Sequence, residues 1–135
     1  MDILQAISMI QSRFDETGSP VAIPLQKGGQ FTATLEPNGV RVDNLHKQPF
    51  LPWAVFQEAV CTMIRHDGKA DRGNAMNAKL GDPALSLDSI EGHIAHVVYG
   101  QQVGDSVFRR ISPVAAILIW AGICTSEPGH LLLRG

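Results

Sequence analysis

The sequence predicts an α+β fold: an N-terminal helix and a small antiparallel β-sheet, packed on a mainly helical second part that closes with a hairpin. Three observations predict it. Apolar residues recur at helical spacing in residues 2–14, in WAVFQEAVCTMI from Trp53 onward and in residues 114–123. Between the first two runs, FTATL (31–35) and VRV (40–42) alternate apolar and polar side chains around Glu36-Pro37-Asn38-Gly39. After the last, residues 123–126 and 130–134 flank a Pro-Gly turn.

Each element has its own justification. The first helix carries Ile3, Leu4, Ile7, Met9, Ile10 and Phe14, and Thr17-Gly18-Ser19-Pro20 ends it, since proline cannot continue a helix. Residues 21–25 (VAIPL) read as a strand whose proline belongs at a sheet edge. The Asn38-Gly39 pair tolerates the positive φ of a tight hairpin. Two prolines in HKQPFLP (46–52) mark a joint between an N-terminal element, 1–52, and a second domain, 53–135, which together can form one compact unit. In the second domain Val55, Phe56, Ala59, Val60 and Met63 share one helix face, with Gly68 as the cap. Asp71 is placed to cap a short helix running through Lys79, ended by Gly81-Asp82-Pro83. Asp88-Ser89-Ile90-Glu91 has the D-x-x-E spacing of a capping box and opens a helix that stops at Gly100. Ser112 is the expected N-cap of the last helix, with Pro113 at its first position and Gly122 at its end.

Composition narrows the function classes. At 135 residues, 44% hydrophobic and 18% charged, the chain has globular rather than disordered composition and can bury a core without staples. Its longest apolar run is too short for a membrane span, and the acid at position 2 does not suit a secretion signal. Cys61 and Cys124 lie far apart in apolar contexts and read as buried thiols, which makes a cytoplasmic setting the expectation. A net charge of −2 excludes coating nucleic acid by bulk electrostatics, and residues 53–135 hold seven basic against eight acidic side chains. Any such binding must come from a local patch.

The order helix, short helix, helix, apolar helix, hairpin is that of a winged helix-turn-helix with one helix inserted. Residues 56–135 resemble the winged-helix module at the N-terminus of Mrr-type restriction endonucleases. Gly68-Lys69-Ala70-Asp71-Arg72-Gly73-Asn74-Ala75 is similar to that module's turn and second helix. Arg110-Ile111 with Leu118, Ala121-Gly122 and Ile123 matches its R-I … L-x-x-A-G-L segment, and Pro128-Gly129-His130 resembles its wing. The resemblance implies a bacterial-type winged-helix fold and a non-catalytic role, binding duplex DNA or regulatory. Where the family carries Trp-Ala and a basic residue before Leu118, this chain has Pro113-Val114-Ala115, so the likeness bears on fold more than on DNA contact.

The residues themselves leave two readings open. In the last helix Val114, Ile117, Leu118 and Ala121 form a core face, while Pro113, Ala116 and Trp120 form a second apolar stripe. That stripe lacks the polar side chains that read base edges and suits a protein partner, a homodimer contact or the chain's own N-terminal element. The helix entrance is different. Arg109, Arg110 and Ser112 are placed to hold a phosphate, flanked by Lys69, Arg72 and Lys79 and by His130 and Arg134 of the wing. His93 and His96 are three apart on a helix, a spacing that falls short of the zinc-protease pattern, and no further ligand lies near in sequence, so no metal is expected. Cys61 with His66 is a weak nucleophile pair because Cys61 lies on the apolar side of its helix. There is no phosphate-binding glycine loop and no G-x-S-x-G elbow, so neither catalysis nor a cofactor is expected.

Overall fold

The computed structural model describes residues 1–134, so Gly135, the last residue of the expected second domain, lies outside it. The fold is α+β, with four α-helices and two small antiparallel sheets among the described residues. Helix α1, Ile3–Thr17, starts where the Asp2 carboxylate accepts the Gln5 N–H at 2.7 Å, and it ends at Gly18. Strands β1 (Val21–Pro24), β2 (Gln30–Glu36), β3 (Gly39–Val42) and β4 (Phe50–Pro52) follow as an up-and-down sheet in that order. Pro24 therefore stands on an edge strand, where a missing N–H breaks no ladder.

Two expectations change in this sheet. The β2–β3 hairpin pairs Glu36 with Gly39, so Pro37 and Asn38 make the turn and neither has positive φ. Gly39 serves a different purpose: a Cβ there would collide with the Leu51 carbonyl of β4. The expected joint at 46–52 is a strand at its far end. Leu51 is buried, and the Trp53 N–H donates to the Asn38 carbonyl at 3.1 Å, tying the start of the next helix to the hairpin.

Helix α2, Trp53–Arg65, buries the predicted face of Val55, Phe56, Ala59, Val60 and Met63. The short helix expected from Asp71 to Lys79 does not form. Lys69–Asp71 is strand β5, and residues 72–89 are an irregular arm with one 3-10 turn, Pro83–Leu85. The physical reason is local. The Asn74 side chain accepts the N–H groups of Met76 (3.2 Å) and Asn77 (3.3 Å), and the Asn74 N–H donates to the Ala84 carbonyl, so these amides are not offered to a helix ladder.

Helix α3, Ile90–Val97, is capped by Ser89 rather than Asp88, with the Ser89 hydroxyl accepting the Gly92 N–H at 3.1 Å. Helix α4, Ile111–Trp120, starts two residues earlier than expected, with Arg110 as N-cap. Pro113 still lies in the first turn, where its missing N–H is tolerated. Strands β6 (Cys124–Glu127) and β7 (His130–Leu133) form the closing hairpin, and β7 also pairs with β5, giving the order β5-β7-β6.

One continuous core joins the two parts. Ala6, Ile10 and Phe14 of α1 and Ile23, Phe31 and Ala33 of the first sheet pack in the same cluster as α2, α4 and Leu131 of β7. Helix α4 lies at its centre, with every residue from Pro113 to Leu118 buried. Among the described residues, no helix is long and apolar enough to cross a membrane.

Candidate functional site

The first consequence of that core falls on α4. Pro113 and Ala116 are buried, and the Trp120 ring meets Phe14 edge-on at 4.9 Å while the Arg13 guanidinium lies 5.4 Å from its centroid. Of the stripe expected to offer a docking face for a partner, Pro113 and Ala116 are therefore buried within the chain and Trp120, half-buried, packs on α1. The cause is the apolar side of α1, which the sequence shows but cannot assign to a neighbour.

The helix entrance divides its two arginines. Arg110 is 2% exposed and is an internal residue, which corrects its expected role as a phosphate ligand. Its guanidinium stacks 3.5 Å from the Tyr99 ring centroid, donates to the Phe108 carbonyl at 3.2 Å and hydrogen-bonds Gln48 of the β3–β4 connection. Burial holds its pKa below the ordinary arginine value, opposed by Tyr99 and Glu91. Arg109 next to it is exposed, and among the described residues its Nη1 reaches the thioether of Met76 at 2.8 Å and no carboxylate.

The α4 amides are also not free in the expected way. Glu91, in the first turn of α3, does not close a capping box. It crosses to α4, where its Oε1 accepts the Arg110 N–H at 2.7 Å. A carboxyl of the chain itself therefore stands where a phosphate was expected. Glu91 is 1% exposed, and among the described residues its Oε2 has no hydrogen-bond partner. Burial pushes its pKa up to about 7, against the opposing pull of the Arg110 N–H and guanidinium.

Beside this entrance lies a cleft of about 670 Å³. Its walls are the β1–β2 turn with Gln26, Lys27 and Gly28, the arm with Gly73, Asn74, Met76 and Asn77, and the start of α4 with Arg109, Ile111 and Ser112. Arg72 crosses it, half-buried, and its Nη1 lies 2.7 Å from the Gln26 amide oxygen and 3.5 Å from the Ser126 hydroxyl. Gly73 has φ +87°, and a Cβ there would press on Ser89 Oγ and Glu91 Cβ, so the backbone folds against the base of α3. Burial lowers the Arg72 pKa, and the nearby Arg109 charge adds to that. Among the described residues, neither Arg72 nor Arg109 pairs with a carboxylate. The one acid of the lining, Asp71, is bound to His130 at 2.6 Å.

The cleft thus gathers Arg72, Arg109 and Ser112 from the expected set and leaves out the rest. Lys69 is ion-paired with Glu127 at 3.0 Å, His130 is engaged by Asp71 and the Pro128 carbonyl, and Lys79 is exposed outside the cleft lining. Lys27 is the cation that sequence reasoning missed. Its only signal is Lys27-Gly28-Gly29 between two strands, and nothing local says which surface that turn faces.

The two histidines of the metal question turn apart. His93 joins Glu58 of α2 at 2.8 Å through Nε2 and Arg65 at 3.3 Å through Nδ1, while His96 Nδ1 bonds the Gln101 carbonyl at 2.8 Å. Both thiols are free, and burial pushes the Cys124 pKa up to about 12, which leaves it a poor nucleophile. Set against known proteins, the chain matches no protein-family model, no curated protein and no solved structure.

Proposed function

We propose that the chain is a non-catalytic winged-helix protein that binds nucleic acid through phosphate contacts in this cleft, without reading bases from α4. The winged-helix assignment is supported by the order α2, β5, α3, α4, β6, β7 and by the sheet order β5-β7-β6, with the first strand beside the last. Burial of α4 by α1 and the first sheet removes that helix from groove insertion, so its side chains are not base readers. The observation that carries the binding reading is the cluster of Arg72, Arg109 and Lys27 in one cleft, with neither arginine paired to a carboxylate among the described residues. Guanidinium forks held in place by neutral acceptors suit phosphate oxygens. The test is anisotropy of labelled DNA with the native chain and with Arg72→Ala and Arg109→Ala. The reading expects binding that weakens as salt rises and drops about ten-fold or more in each variant. Absence of binding at low salt overturns it.

A further inference from the structure

Three features of the cleft bear on which part of a nucleic acid it takes. The first is charge. Three cations face one carboxylate, and that carboxylate is already bound to His130. A phosphodiester carries a single negative charge, whereas a phosphate monoester carries about −1.5 to −2 at neutral pH and so matches the local excess better. The second is shape. The arginines stand in a recess between the β1–β2 turn and the arm, with Arg72 half-buried across it. A continuous duplex presents its phosphates on a convex surface, and α4 offers no projecting helix to seat such a surface. A strand end can enter a recess. The third is lining. The cleft is walled by Asn74, Asn77, Ser112, Gln26 and aliphatic side chains, and among the described residues no aromatic ring faces it. Single-strand binders that hold bases stack them on aromatic rings, so here the phosphate is the recognised group.

We infer that the cleft receives a terminal phosphate monoester, the end of a nucleic-acid strand, clasped between Arg72 and Arg109 with Lys27 closing over it from the β1–β2 turn. This rests on the nucleic-acid reading above and narrows it. Because Glu91 already occupies the Arg110 N–H, the donors to the phosphate are side chains: the two guanidinium forks, the Lys27 ammonium and the Ser112 hydroxyl. The Arg72 fork is set in advance by Gln26 and Ser126, so part of the ordering needed to hold a dianion is already in place.

The experiment compares one labelled single-stranded oligonucleotide in four forms: 5′-phosphorylated, 3′-phosphorylated, hydroxyl at both ends, and closed into a circle. Each is titrated with the native chain, with Arg109→Ala and with Arg72→Ala, and inorganic phosphate serves as competitor. One phosphorylated form is expected to bind at least about ten-fold tighter than the hydroxyl and circular forms. Arg109→Ala, an exposed position whose loss leaves the core intact, should erase that preference, and millimolar inorganic phosphate should compete it away. Equal binding of the circle and both linear ends overturns end recognition and leaves the nucleic-acid reading standing. Competition-sensitive binding of inorganic phosphate, with no binding of any oligonucleotide, overturns both and assigns the cleft to a free phosphorylated small molecule.

Discussion

Glu91 Oε1 accepts the backbone N–H of Arg110 at 2.7 Å, so the N-terminus of α4 is capped by a carboxyl from the first turn of α3. This bond links the starts of two helices and leaves the Arg110 N–H already occupied by a carboxyl of the chain itself.

That carboxyl makes stability depend on pH. With its pKa raised from the usual 4.5 to about 7, the folded state holds the Glu91 proton more tightly than the unfolded chain does. Its contribution is therefore fully present below pH 4.5 and is lost as pH rises through about 7, a change of about 3 kcal/mol. Glu91→Gln keeps an oxygen for the Arg110 N–H and removes the titration. Urea unfolding from pH 4.5 to 8 should show the native chain losing stability relative to Glu91→Gln across that window. Parallel curves would remove Glu91 from the account.

Arg110 is a structural residue in this account. Arg110→Ala removes the stack on Tyr99 and the bonds to Gln48 and Phe108, and should cost about 2–4 kcal/mol. Arg110→Lys should recover little, because an ammonium lacks the flat fork that spans these partners. The measurement is thermal melting of both variants beside Arg109→Ala, which should melt like the native chain. A stable Arg110→Ala variant would contradict the burial argument.

Gly92 lies inside α3, where Gly→Ala ordinarily stabilises by about 1 kcal/mol. Here a Cβ would strike the Ser86 carbonyl and stand 2.8 Å from Ser89 Oγ. Gly92→Ala should therefore destabilise by about 2–3 kcal/mol, seen as a lower melting temperature. A higher melting temperature would mean that the Ser86–Ser89 turn yields freely.

Trp120→Ala should weaken the seat of α1 by about 2–3 kcal/mol through lost contact with Phe14 and Arg13, and should leave the oligomeric state unchanged. Sedimentation of native and variant chains tests the second point. A native dimer that Trp120→Ala dissociates would return this stripe to partner binding.

What the sequence discloses follows its local physics. The buried face of α2, the edge proline of β1 and the Pro-Gly hairpin follow from periodicity and turn chemistry within a few residues, whereas Leu4 of the expected α1 face is exposed and α4 is buried on both of its apolar stripes. The arm from 72 to 89 is not legible in this way, because Asn74 and Ser89 direct their side chains at nearby amides and replace the helix that Asp71 suggests. In the site, Arg109 and Arg110 are indistinguishable as letters. Tyr99 and Gln48 bury one of them, and both contacts are made by the fold. Lys27 joins Arg72 only because the β1–β2 turn packs beside the start of α4, a relationship spanning more than forty residues of chain.

The most direct test of the central claim is the salt dependence of oligonucleotide binding by the native chain. Three cleft cations releasing counterions predict a slope of log K against log salt of about −2 to −3, reduced by roughly one in Arg109→Ala. A slope near zero, or one that Arg109→Ala leaves unchanged, would contradict phosphate binding in the cleft.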